Sequence, residues 1–65
     1  MARDAHSGLQ PGQWFQQDRT VWEVVNFKSF NDIPHVQIMK VSDTSERKLI
    51  SACTLRDGYV PAPKQ

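Results

Sequence analysis

Hydrophobic and polar positions alternate along the middle of this chain in short bursts, each closed by residues that favour turns. Gln13-Trp14-Phe15-Gln16-Gln17 predicts a first strand, and Asp18-Arg19 a tight connection out of it. Thr20 to Phe27, rich in β-branched and aromatic residues, predicts the second. Its alternation slips: Trp22 and Val24 share one face, Val25 and Phe27 the other. Such a slip points to a β-bulge, or to a strongly bent strand buried on both sides, and both suit a small closed barrel better than a flat sheet. Lys28 to Pro34 reads as a polar loop that carries Phe30, with Pro34 holding Ile33 extended. His35 to Val41 predicts a third strand, Ser42-Asp43-Thr44-Ser45 a turn, and Arg47 to Ser51 a fourth strand. Ala52-Cys53-Thr54-Leu55 predicts one tight helical turn of 3₁₀ type, closed by Asp57-Gly58. Tyr59-Val60 adds a short last strand that Pro61 stops.

A helix competes for residues 44–56. Asp43 with Glu46 resembles a capping box, Leu49, Ala52 and Cys53 share a helical face, and Gly58 supplies a stop. That alternative is an α+β fold, a three-stranded sheet with one C-terminal helix. Thr44, Ser51, Cys53 and Thr54 are mediocre helix formers, and Leu49-Ile50 serves well as a hairpin partner to residues 35–41, which favours the strand reading. Residues 1–12, whose large apolar side chain is Leu9, read as a flexible arm, and residues 61–65 as an extended tail. The expected domain is therefore residues 13–60, an all-β, five-stranded barrel.

Five short strands, a polar loop after the second, a tight turn after the third and one helical turn before the last: this order resembles the small barrel of the Src-homology-3 type. Gly58-Tyr59-Val60-Pro61 also resembles the end of such barrels. The acidic loop and the Ala-Leu-Tyr-Asp-Tyr-type first strand of the peptide-binding members are absent, so the resemblance does not bring their proline-rich ligand with it. The pattern of Trp14, Val21-Trp22-Glu23-Val24, Pro34-His35-Val36, Lys48-Leu49-Ile50-Ser51 and Tyr59 is similar to short bacterial proteins over about four-fifths of the chain. That likeness implies a fold and no activity.

Size and charge narrow the function. A chain of 65 residues buries only about 60% of its unfolded surface, so good packing or self-association must support it. Eight Lys+Arg against seven Asp+Glu give a net charge of +1, unlike the strong positive charge of dedicated nucleic-acid binders. The apolar runs are too short for a membrane helix, and no partner membrane is expected. Cys53 is the one cysteine, which excludes an intrachain disulfide and suits a reducing cytoplasm. His6, His35 and Cys53 lack zinc-ligand spacing, and no metal or other cofactor is expected.

Candidate chemistry is sparse. Cys53 with His35 is the one thiol–imidazole combination the fold can bring together; its plain alternative is a small buried Cys53 and a water-facing His35. The carboxylates Asp18, Glu23, Asp32, Asp43, Glu46 and Asp57 fall mostly in turns, and Gly8, Gly12 and Gly58 make no phosphate loop. No catalytic residue is assigned. The six aromatic rings are too many for so small a core, and a binding surface in which Trp14, Phe30 and Tyr59 converge on one groove is the candidate site. Its plain alternative, which weighs more, is ordinary core filling with Phe30 stapling its loop. If Arg47, Lys48 and Arg56 gather on one edge beside them, single-stranded nucleic acid becomes a ligand through stacking and phosphate contact. The sequence thus points to a non-enzymatic binding or adaptor domain that engages a protein partner or its own copies. The alternatives are a weak single-stranded nucleic-acid-binding module and a small enzyme or subunit active only as an oligomer.

Overall fold

β-branched and aromatic residues form five strands in the computed structural model, which describes residues 8–63. These are β1 (Trp14–Gln17), β2 (Thr20–Phe30), β3 (Ile33–Lys40), β4 (Asp43–Ser51) and β5 (Val60–Ala62), with one helix, α1 (Ala52–Gly58), before the last. They pair antiparallel in one sheet of order β4-β3-β2-β1-β5. No ladder joins β4 to β5 among the described residues, so the sheet is open where the sequence predicts a closed barrel. The three residues of β5 include Pro61, which has no N–H to give, and so offer little backbone for a seam.

The slip along β2 is a bulge. Val24 lies opposite Ile38 while Asn26 lies opposite Gln37, leaving Val25 without a place in the ladder. The extra residue shifts the alternation by one and turns Phe27 onto the face that carries Trp22 and Val24. An inner face results: Phe15, Trp22, Val24, Val36 and Ile38 from the sheet pack with Ala52 and Leu55 of α1 and with Tyr59. Leu9, Phe27 and Ile50 are half-buried against this core.

Several connections differ from the sequence reading. The polar loop at 28–34 is instead hairpin: β2 and β3 run on until Asn31-Asp32 joins them. Both turn residues have left-handed backbone, φ 51° and 64°, as a two-residue turn matched to strand twist requires. The turn after β3 is shorter than Ser42–Ser45, since Asp43 already lies opposite Lys40. Arg47 then faces Met39, so residues 44–46 form an irregular excursion on β4. Asp43 Oδ1 accepts from the Ser45 hydroxyl at 2.7 Å and the Ser45 backbone N–H at 3.2 Å, and Lys40 Nζ lies 3.4 Å from Glu46 Oε2.

The helical segment is a seven-residue α-helix rather than a single 3₁₀ turn, and it excludes the competing helix over 44–56. Ser51 caps its start by accepting the Thr54 N–H at 3.1 Å. Gly58 does not supply the stop. Tyr59 does, with extended backbone (φ −125°, ψ 151°) and its N–H given to the Leu55 carbonyl. Pro61 does not end the last strand either; it sits within β5 opposite Phe15, a position that an edge strand tolerates.

Gly8 to Gly12, read from sequence as part of the arm, is folded onto β2. Gln13 N–H reaches Gln10 O across Pro11-Gly12, with Gly12 at φ 89°, and Gly12 N–H donates to Val24 O at 2.7 Å. The remainder of the arm, including His6, and the end of the tail lie outside the described residues.

Trp22 is the largest member of the core, and its Nε1 is buried with no partner. An orphaned N–H of this kind costs about 1–3 kcal/mol. Lys48 Nζ, 4.6 Å from the ring centroid, covers the indole in partial compensation. Trp22→Ala should therefore lose about 3–5 kcal/mol and leave the chain unfolded at room temperature, a loss comparable to the whole stability of so small a core. Trp22→Phe, which also removes the orphan, should lose only about 1–2 kcal/mol; urea denaturation distinguishes the two.

Asp43 makes a second prediction. The Ser45 hydroxyl, then the Ser45 N–H, hold its carboxyl below the ordinary value of 3.8. A depressed folded pKa contributes stability that is present above that value and lost as the pH falls through the lowered one. An NMR titration should place the Asp43 midpoint below 3.8, and Asp43→Asn should remove that part of the acid destabilisation.

Candidate functional site

The end of α1 and the start of β5 bring side chains from three parts of the chain around one cleft. Leu9 and Gln13 come from the N-terminal turn, Phe15 from β1, Arg56 and Tyr59 from the helix and its cap, and Pro61 from β5. The cleft holds about 380 Å³ and is open to solvent on one side. Phe15 and Tyr59 are buried members of the core, so their rings form a fixed floor, while Arg56 is exposed on the wall. The helical cap explains Tyr59: the chain leaves α1 extended, which drives the ring beneath the helix. A rigid apolar floor with one guanidinium beside it suits an apolar group that carries a neighbouring anion.

The other residues singled out from sequence are dispersed. Register places Trp14, Glu23, Met39 and Arg47 in one row, together with Ala62, on the outer face of the sheet. Trp14 Nε1 donates to Glu23 Oε1 at 3.0 Å, so its polar edge is already used. Phe30 stands at the far end of the same face, about 20 Å along β3 from that row, since six residues at about 3.3 Å separate Ile33 from Met39. Its ring meets His35 edge-on at 5.1 Å. Tyr59 is on the inner side. The candidate convergence of Trp14, Phe30 and Tyr59 does not occur, because β1 and the β2–β3 hairpin tip lie at opposite ends of the long strands and Tyr59 belongs to the other layer.

The three cations separate as well. Arg47 and Lys48 are neighbours in a strand and point to opposite faces. Arg47 Nε reaches the Thr44 carbonyl at 3.4 Å, Lys48 covers Trp22, and Arg56 is in the cleft. Cys53 is exposed on α1 rather than buried. His35 is half-buried, with Nδ1 2.8 Å from the Ile33 carbonyl, so that nitrogen carries a proton and is committed to the backbone. Among the described residues no cluster of three His, Cys, Asp or Glu side chains can hold a metal, and no helix is long and apolar enough to cross a membrane.

Sequence reasoning named Tyr59 and Arg56 but missed Leu9, Phe15, Gln13 and Pro61 as their neighbours. The Pro11-Gly12 dipeptide carried the missing signal: it is a turn, and a turn there folds Leu9 back over the helix end. No known protein family, curated protein or solved structure matches this chain.

Proposed function

We propose that this protein is a small non-catalytic recognition module whose cleft receives a segment of a protein partner. The observation that supports this reading most is the cleft itself, with buried Phe15 and Tyr59 as floor, Leu9 and Pro61 as apolar flanks and the exposed Arg56 beside them. Its volume of about 380 Å³ lies near the lower end of ligand sites, enough for one or two side chains rather than a cofactor. The segment expected is extended and presents an apolar side chain next to a carboxylate, which a guanidinium binds in two parallel hydrogen bonds. The same reading takes the five strands and the helix before the last as an opened form of the Src-homology-3-type barrel.

Selection of peptides from a random library on the immobilised chain tests the proposal. Retained peptides should combine an apolar and an acidic residue, shift the NMR signals of Leu9, Arg56 and Tyr59, and bind roughly tenfold or more weakly to Arg56→Ala. Retention of no peptide, or shifts confined to other surfaces, would contradict it.

A further inference from the structure

The outer face of the sheet carries large apolar side chains that none of the described residues covers. Following the ladders across the bulge, Phe30, Ile33, Met39, Leu49 and Val60 fall on this one side with Trp14, among polar neighbours that include Glu23, Lys28, His35, Gln37, Arg47 and Ser51. The large hydrophobic side chains found exposed are Phe30, Ile33, Leu49 and Val60, at 47%, 52%, 42% and 64%. Every one of them is on the outer face. Trp14 and Met39 are half-buried there too. Scattered exposed hydrophobics are ordinary, but their confinement to one face of a two-faced sheet marks an interaction surface.

We infer that a second copy of this chain occupies that face, giving a two-fold dimer in which two sheets pack face to face. The central row supplies the argument for a copy rather than another protein. In it Glu23 on β2 and Arg47 on β4 flank Met39 on β3, one strand away on each side. A two-fold axis running along β3 in the plane between the sheets exchanges left and right. It sets Glu23 of each copy against the partner's Arg47, with the two Met39 side chains meeting on the axis. The same operation sets Lys28 against the partner's Ser51, because Lys28, His35 and Ser51 form one row, so no like charges from β2 and β4 collide. A surface whose acid and base are placed symmetrically about a hydrophobic centre is complementary to itself.

Area agrees. The two-fold along β3 lays β2, β3 and β4 of one copy on β4, β3 and β2 of the other. Three strands about 4.8 Å apart and about 27 Å long offer roughly 400 Å² per copy, or about 800 Å² in all, the size of a weak, transient interface. A weak, reversible dimer follows, populated only towards the millimolar end of the concentration range. It also supplies the support that a core of eight buried residues lacks by itself. This inference does not depend on the cleft, which lies on the inner side.

Sedimentation equilibrium of the full chain from about 1 µM to about 1 mM tests it. The mass should rise from 7.5 kDa towards twice that value. Arg47→Glu and Glu23→Lys should each weaken association roughly tenfold or more while far-UV circular dichroism stays unchanged, because each places like charges opposite one another twice. Mixed in equal amounts, the two variants should regain the wild-type association, since the mixed pair restores both contacts. A wild-type chain that stays monomeric at about 1 mM would overturn the inference and leave the face to a different protein. So would a dimer that ignores both substitutions, or folded variants whose mixture fails to recover.

Discussion

One extra residue, Val25, governs how this chain divides its side chains between two layers. Strand side chains alternate strictly, so a register error of one residue reverses every later assignment. Without the bulge, Phe27 would turn outward and Asn26, Lys28 and Phe30 would turn towards the core. With it, Phe27 joins Trp22 and Val24 inside, and Lys28 and Phe30 stand outside. The core, the helix that covers it and the apolar outer face all follow from this local insertion. The Gly12 N–H, which donates to the Val24 carbonyl, and the Gln13 carbonyl, which accepts the Val24 N–H, secure it from the other side immediately before the unpaired position.

The order of strands and the bulge itself were legible in the sequence, because they are written in local alternation: Trp22 and Val24 against Val25 and Phe27. Element ends were less so. The 28–34 segment looked like a loop since Lys28, Ser29, Asn31 and Asp32 are polar, yet a hairpin tip needs only two residues with left-handed backbone and tolerates polar ones on its outer side. Gly58 and Pro61 misled for a related reason. Each is a breaker by intrinsic propensity, but burial of Tyr59 and pairing of Pro61 with Phe15 decide the geometry there. Closure of the sheet was not legible at all, because it depends on how two edges meet far apart in sequence.

The candidate site was legible in part for the same physical reason. Tyr59 and Arg56 are close in sequence and their proximity is local. Leu9, Phe15 and Pro61 reach the cleft through pairing of β1 with β5 and through the Pro11-Gly12 turn. Grouping Trp14 and Phe30 with Tyr59 required knowing which face each occupies, and that depends on register. Among the described residues the cleft on the inner side and the outer sheet face with its exposed Phe30, Ile33, Leu49 and Val60 are two separate surfaces. A chain with a near-neutral charge and a modest core has good reason to use one of them for its own reinforcement.

The most direct test of this account is the register of β2 against β3, read from cross-strand nuclear Overhauser effects in solution. The account predicts contacts that pair Val24 with Ile38 and Phe27 with Val36, with Val25 opposite no residue. Contacts that instead set Val25 against Gln37 and Asn26 against Val36 would describe an unbroken ladder, with Phe27 outside, and would contradict it.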